Sequence, residues 1–256
     1  MISESLYFTY NNVNFYDTYG IMNVKINSGL NEEQFIAPRT IKETRIRGGK
    51  IYFTEMEDEN LSFNLTFAFE EEFTEDILRA VARDLRKDYS CPMVFSENPD
   101  KIYYCIVEGE TKITHTGNGM GYITINFRCS TPYTYSPTYS SEIYDLTTNP
   151  TTTDIIFVNN GDLTMSPTLY IEIISGAGFS IVNTSNGAQT LTFTGLAVGE
   201  NLIVDCENEE IDTDVVDTYR YSSMTGDFLE LLRGNNVLQI TGNIKIQFIY
   251  QFIRLQ

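Results

Sequence analysis

The chain has one histidine, His115, four cysteines, Cys91, Cys105, Cys129 and Cys206, and 35 aspartates and glutamates. A Ser or Cys nucleophile usually depends on a histidine base, and no GxSxG, HExxH or P-loop string accompanies His115. His115 stands beside Gly117-Asn118-Gly119-Met120-Gly121 and reads as a solvated residue at a turn. Gly117-x-Gly119-x-x-Tyr122 lacks the third glycine of a dinucleotide loop, and strand-like alternation follows where a phosphate-binding helix should begin. The cysteines form no CxxC pair and have no partnering histidine, so zinc and thiol-redox sites are unsupported. Cys129 falls in phase with Ile123, Ile125 and Phe127 and reads as a reduced, buried thiol. Asp205-Cys206-Glu207-Asn208-Glu209-Glu210-Ile211-Asp212-Thr213-Asp214 could crowd carboxylates round calcium. It lacks the glycine and terminal glutamate of an EF-hand loop, so a solvated acidic hairpin is expected. Carboxylate pairs for glycoside hydrolysis need a spatial separation that residue order cannot supply. No catalytic residue, cofactor or metal is assigned, and the chain is expected not to be an enzyme.

The remaining candidates concern contacts. Arg39, Lys42, Arg45, Arg47 and Lys50 lie in a short stretch with one acid, Glu43, and lead through Gly48-Gly49 into Ile51-Tyr52-Phe53. Glu55, Glu57, Asp58 and Glu59 follow. The pattern fits two limbs of a long exposed hairpin. Its basic limb could complement a neighbouring copy, or it could pair with the acidic limb of the same hairpin. The Asn-x-Ser/Thr strings at Asn60, Asn64 and Asn183 carry little weight without a secretory route, and the first residues lack a basic n-region and an apolar h-region.

The elements that must position these residues are mostly strands. There are 17 Tyr and 16 Phe and no Trp, a composition that suits half-buried pleats and subunit surfaces. The 256 residues allow one large or two modest domains, and a formal charge of −18 opposes a tight grip on nucleic-acid phosphates. Leu61, Phe63, Leu65, Phe67 and Phe69 share one face of the clearest strand. One helix follows: Thr74 is its N-cap, Glu75 and Asp76 lie in its first turn, and Ile77, Leu78, Val81, Ala82 and Leu85 form an apolar stripe. Residues 130–154 turn rich in Ser, Thr, Tyr and Pro, as a connector would, and divide the chain into 1–137 and 138–256. Beyond it, short apolar runs at 155–158, 168–174, 178–182, 189–194, 201–205, 236–241 and 244–254 alternate with turn signals such as Ser175-Gly176-Ala177-Gly178, the pattern of a β-sandwich.

Several strings, taken in this order, resemble the distal tail proteins of long, non-contractile-tailed bacteriophages and related prophages. They are Arg47-Gly48-Gly49-Lys50-x-Tyr52-Phe53, Glu59-Asn60-Leu61-Ser62-Phe63, Phe95-x-x-Asn98-Pro99-Asp100-Lys101-Ile102-Tyr103-Tyr104, and Gly121-Tyr122-Ile123-Thr124-Ile125-Asn126-Phe127-Arg128-Cys129-Ser130-Thr131-Pro132-Tyr133. The second half is similar to that family's galectin-like sandwich, with Asn160-Gly161 at its entrance and Thr225-Gly226-Asp227-Phe228 before the final strands.

The resemblance implies a mainly-β chain with two parts: an N-terminal, β-sandwich-like ring domain with one helix and an extended hairpin arm, and a C-terminal galectin-like β-sandwich. It further implies a homohexameric ring at the virion tail tip, made in the bacterial host cytoplasm. The ring would join the tail tube protein to tail-associated or receptor-binding tail proteins, with no membrane contact. The arm would embrace the next protomer, with Arg39, Lys42, Arg45, Arg47, Lys50, Tyr52, Phe53, Glu57, Asp58 and Glu59 as its candidate contacts. An alternative is a carbohydrate-binding adhesion module stacking sugar on Tyr170, Tyr219 or Tyr221. Six copies of a chain of charge −18 would carry −108 round a central channel, and if enough of that charge faces the lumen it would keep passing DNA from binding the wall.

Overall fold

The computed structural model describes residues 2, 5–24, 34, 36–45, 51–115, 117, 119–149 and 151–255, with 44, 45 and 51–54 described by backbone only. The chain divides into two compact units, Met1–Tyr135 with Leu255–Gln256, and Ser136–Arg254.

The first unit contains β1 (Phe8–Tyr10), β2 (Val13–Asn14), α1 (Phe15–Tyr19), β3 (Ile21–Asn23), β4 (Arg39–Arg45), β5 (Ile51–Asp58), β6 (Ser62–Phe69), α2 (Glu75–Leu85), β7 (Cys91–Phe95), β8 (Asn98–His115), β9 (Gly121–Cys129) and β10 (Thr134–Tyr135). Its main sheet runs β2-β1-β7-β8-β9-β6-β3. The far edge curls back onto the segment before β1, since Asn23 donates its backbone N–H to the Leu6 carbonyl and its side-chain amide to that of Ser5. A curled sheet encloses its own core and leaves fewer raw edges. Phe8, Phe15, Phe67, Phe95 and Phe127 are fully or almost fully buried there. Leu61, Leu65, Phe67 and Phe69 of the predicted strand face are buried, and Phe63 packs edge-on against Phe95 and Tyr103. The α2 stripe joins the same core through Val81 and Leu85, and the Thr74 hydroxyl accepts from Ile77 N–H as the predicted cap.

Residues Phe15–Tyr19 form the single-turn helix α1: the Asn14 side chain accepts from the Tyr16 and Asp17 N–H groups, and Gly20 ends the helix at φ +64°. The glycine cluster before β9 does close a hairpin, with His115 in register with Gly121 and a strand in place of a phosphate-binding helix. Cys91, Cys105 and Cys129 form one buried register row across β7, β8 and β9, and burial pushes the Cys129 thiol up to about 12.

The second unit contains β11 (Tyr139–Ser140), β12 (Tyr144–Asp145), β13 (Thr153–Asn159), β14 (Thr168–Asn183), β15 (Gln189–Thr194), β16 (Asn201–Asp205), β17 (Glu210–Thr213), β18 (Met224–Gly226), β19 (Gly234–Tyr250) and β20 (Ile253–Arg254). Two long strands organise it. β14 and β19 pair antiparallel from Thr168↔Ile249 to Asn183↔Leu238, with register shifts between Ile173 and Ser180. On its other edge β14 carries β16 in its first half and β15 in its second, and β19 carries β13 and then β12 and β11. The runs that read as four separate strands are therefore two strands, each bent at its glycines. Gly242 sits at φ +112°, and a Cβ on Gly178 would lie 2.1 Å from the Phe193 carbonyl oxygen, so the bend leaves no room for side chains. Odd residues of β14 (Leu169, Ile171, Ile173, Phe179, Ile181) and even residues of β19 (Leu238, Ile240, Ile244, Ile246, Phe248) face the core on both sides of the bend.

Residues 139–145, read as connector, instead cover the outer edge of β19. Ser141 donates its N–H to the Phe248 carbonyl, and its hydroxyl accepts from Phe248 N–H. Ser136 makes the same two bonds with Phe252. A serine flanking a very short strand thus supplies the hydrogen bonds that a longer strand would.

Gly178→Ala is expected to destabilise this unit by about 1–3 kcal/mol through forced displacement of the β15 backbone. Urea unfolding of the full chain measures it.

Candidate functional site

Within the hairpin segment, β4 and β5 form a separate two-stranded sheet. Arg39 donates two bonds to the Asp58 carboxylate, from Nε at 2.6 Å and from a terminal nitrogen at 3.0 Å. Lys42 lies between Glu55 at 3.0 Å and Glu57 at 3.1 Å, and the Thr40 hydroxyl donates to Glu59. These bonds raise Arg39 and Lys42 and lower Asp58 relative to their ordinary pKa values. All three groups are solvent-accessible, so the pairs set register more than stability. Within the single chain, Arg39 and Lys42 pair with acids of their own hairpin. Arg45, Tyr52 and Phe53 lie in the paired strands, in register with Ile51, Thr44 and Glu43 respectively. Arg47 and Lys50 lie outside the described residues.

The two faces of this ribbon differ. Lys42, Glu55 and Glu57 occupy one, and on the other Ile41 and Met56 sit directly opposite each other, 47% and 62% exposed. An isolated two-stranded hairpin with its apolar pair in water is marginal by itself.

None of the described ring contacts joins any two of the three candidate sugar-stacking tyrosines. Tyr170 stands outward on β14 opposite exposed Ile203. Tyr221 accepts the Ile211 N–H on its hydroxyl, and Tyr219 projects from the preceding loop. The acidic run at 205–214 is a hairpin. Asp205 closes its turn by accepting from the Glu207 and Asn208 N–H groups, and β16 pairs with β17 on either side. Asn183, one of the three glycosylation strings, is fully buried and bonded to Asn236 and the Glu230 carbonyl.

A buried ion pair that sequence reasoning missed holds the loops at one end of β16 and β17. Arg220 grips the Glu200 carboxylate with two 2.7 Å bonds and donates a third to the Gly195 carbonyl. Glu200 also accepts from Ala197 N–H and the Thr213 hydroxyl, and its side chain is fully buried. Burial pushes the Glu200 carboxyl up, but Arg220, Ala197 and Thr213 outweigh it and hold the group below its ordinary value. One signal was available: Arg220 is the lone basic residue between 176 and 232.

Two family descriptions match the chain. Residues 3–131 match a phage tail protein N-terminal domain, and residues 160–252 match the C-terminal domain of Siphovirus-type tail components. The fold and these matches define a phage tail component. The SPbeta prophage-derived protein YomH of Bacillus subtilis strain 168 is 31% identical over 254 residues, spanning 98% of this chain and 99% of that protein. The distal tail protein of Bacillus phage SPP1 is 25% identical over 174 residues, 66% of each chain. The chain belongs to the distal tail protein (Dit) family of phages and prophages. In fold it is similar to the SPP1 Dit crystal structure, with a TM-score of 0.70 at 18% identity covering 96% of this chain and 98% of that one. It is similar also to a chain of the phage P2 baseplate in its activated, Ca-containing conformation, with a TM-score of 0.53 at 7% identity covering 95% and 97%. Among the described residues, no helix is long and apolar enough to cross a membrane.

Glu200→Ala leaves Arg220 largely buried without its partner and is expected to cost about 3 kcal/mol at pH 7. Because the folded carboxyl titrates lower than the unfolded one, the share of stability that comes from this lowering is complete above about pH 4.3 and drains away as pH falls through the folded value. Unfolding of the native chain and the variant across that range measures both.

Proposed function

We propose that the chain is the hub of a phage tail tip: a homohexameric ring joining the tail tube to the host-adhesion proteins, with a central channel for DNA. The observation that carries this is likeness over nearly the whole chain to SPP1 Dit, described as a paradigm of the hub adsorption apparatus in phages infecting Gram-positive bacteria. In this reading the work is adhesion and register, with no catalysis. A closed ring of identical subunits uses two different surfaces on each copy, one presenting and one receiving. The β4–β5 hairpin is the presenting element. With Arg39 and Lys42 engaged inside the hairpin, the apolar pair Ile41 and Met56 supplies the adhesion. A wall of net negative charge keeps DNA phosphates from lingering.

The purified chain, alone at high concentration or with its tail partners, is expected to give six-membered rings in negative-stain images and mass-resolved chromatography. A monomer even with those partners present overturns the hub reading. Burying Ile41 and Met56 is worth about 1.5–3 kcal/mol per side chain, so Ile41→Asp with Met56→Asp is expected to weaken ring assembly at least tenfold without changing the melting of either core. Assembly that survives this pair but fails on reversing Arg45, Arg47 and Lys50 to Glu puts the contact on charge instead.

A further inference from the structure

We propose that Cys105 and Cys129 are a cross-strand redox pair: reduced in the folded chain, they close to a disulfide between β8 and β9 when they meet a peroxide. The pair is set by the register of the first unit's sheet and is independent of the hub reading.

Three of the chain's four cysteines stand in one buried row, Cys91 opposite Cys105 and Cys105 opposite Cys129. No CxxC string announces the row, because pairing between strands makes it. Directly opposed residues of an antiparallel pair alternate between two geometries, and the surrounding hydrogen bonds decide which one each cysteine pair has. Ser130 donates its N–H to the Tyr104 carbonyl, so Tyr104 and Ser130 are a hydrogen-bonded pair and the next pair inward, Cys105 and Cys129, is not. Cys129 accordingly turns its N–H away from β8, to the Leu61 carbonyl. The Cys105 carbonyl accepts from the hydroxyl of Tyr10 on β1, which lies beyond β7. In a non-hydrogen-bonded pair the Cα atoms are about 4.5 Å apart and the side chains are drawn together, within the span a disulfide bridges. Cys91 and Cys105 fall on the other phase of β8, where Cα atoms stand about 5.5 Å apart and side chains are less close. The Cys91 thiol is directed instead to the Tyr89 carbonyl.

The ladder that carries the pair is short. Four rungs, Cys105–Glu108 against Asn126–Cys129, lie between the end of β9 and the register shift after Glu108, where Gly109 sits at φ +76°. A short ladder bounded by a bulge opens locally more easily than a continuous one. Burial keeps both thiols protonated while the ladder is closed, raising Cys105 well above its ordinary value and Cys129 to about 12. Opening admits water and a small oxidant and lets a thiol ionise. The Cys129 thiolate then attacks one oxygen of hydrogen peroxide: the O–O bond breaks, the sulfur becomes a sulfenic acid, and the departing hydroxide is protonated to water. Cys105, as thiolate, attacks that sulfur. The S–S bond forms, the S–O bond breaks, and a second water leaves with the proton Cys105 gave up. Two electrons pass from the two thiols to the peroxide, and the bridge ties the short ladder shut.

The test treats the folded, purified full chain with hydrogen peroxide, unfolds it, alkylates the remaining thiols and maps the bridges by mass spectrometry without reduction. The expected product is one bridge joining Cys105 to Cys129, with Cys91 and Cys206 alkylated. Amide exchange in the folded oxidised chain is expected to slow roughly tenfold across residues 105–108 and 126–129. Cys129→Ala is expected to form no bridge and to keep the exchange rate of its own reduced form after peroxide. Oxidation of the native chain in denaturing urea is expected to give mixed pairings, because register is lost there. Four free thiols after peroxide, a folded-state bridge that uses Cys91 or Cys206, over-oxidation of Cys129 without a bridge, or the same single bridge from the urea-unfolded chain overturns the proposal.

Discussion

The second unit depends on one constraint: the backbone of two strands sixteen and seventeen residues long must be hydrogen-bonded on both edges along its whole length. β14 and β19 satisfy each other on one edge, and five shorter strands share the other two. The long strands bend at Gly178 and Gly242, and their core-facing residues continue on both sides of the bend. The short edge pieces follow from this. Ser141 completes the outer edge of β19 with hydroxyl and backbone bonds, and Ser136 does the same for Phe252 just beyond it.

The first unit solves the same edge problem by curling, with Asn23 bonded back to Leu6 and Ser5. What it leaves out is the β4–β5 ribbon, the segment for which the described chain supplies no covering sheet. A ribbon with its ion pairs satisfied internally and its apolar pair in water is suited to another surface. Of the charges that look most interactive in the sequence, Arg39 and Lys42 are paired within their own hairpin.

Buried polar groups in the second unit do a related job. Asn159, Asn183 and Asn236 are almost wholly buried, yet each is bonded to the chain around it: Asn159 to the Leu163 and Leu231 carbonyls, Asn183 to Glu230, and Asn236 to Leu232. They fasten the irregular 228–234 segment across the strands, as Glu200 and Arg220 fasten the loops at one end of β16 and β17. Such groups are costly if unpaired, so the segment has one acceptable position.

Local pattern already showed the β-rich class, the α2 helix with its Thr74 cap, the apolar face of β6 and the buried state of Cys129, because period, cap chemistry and phase are properties of neighbouring residues. The order of the short strings also pointed to the Dit family. Tertiary structure alone decided that Ser175-Gly176-Ala177-Gly178 is a bend inside one strand and not a turn between two. A glycine permits either, and only the pairing of β19 across it selects. It likewise decided that residues 139–145 cover an edge and that Arg39 and Lys42 face their own hairpin. The Glu200–Arg220 pair joins residues twenty apart through a turn and two strands, and its meaning depends on burial. Burial is a property of everything packed around a residue, and no local spacing carries it.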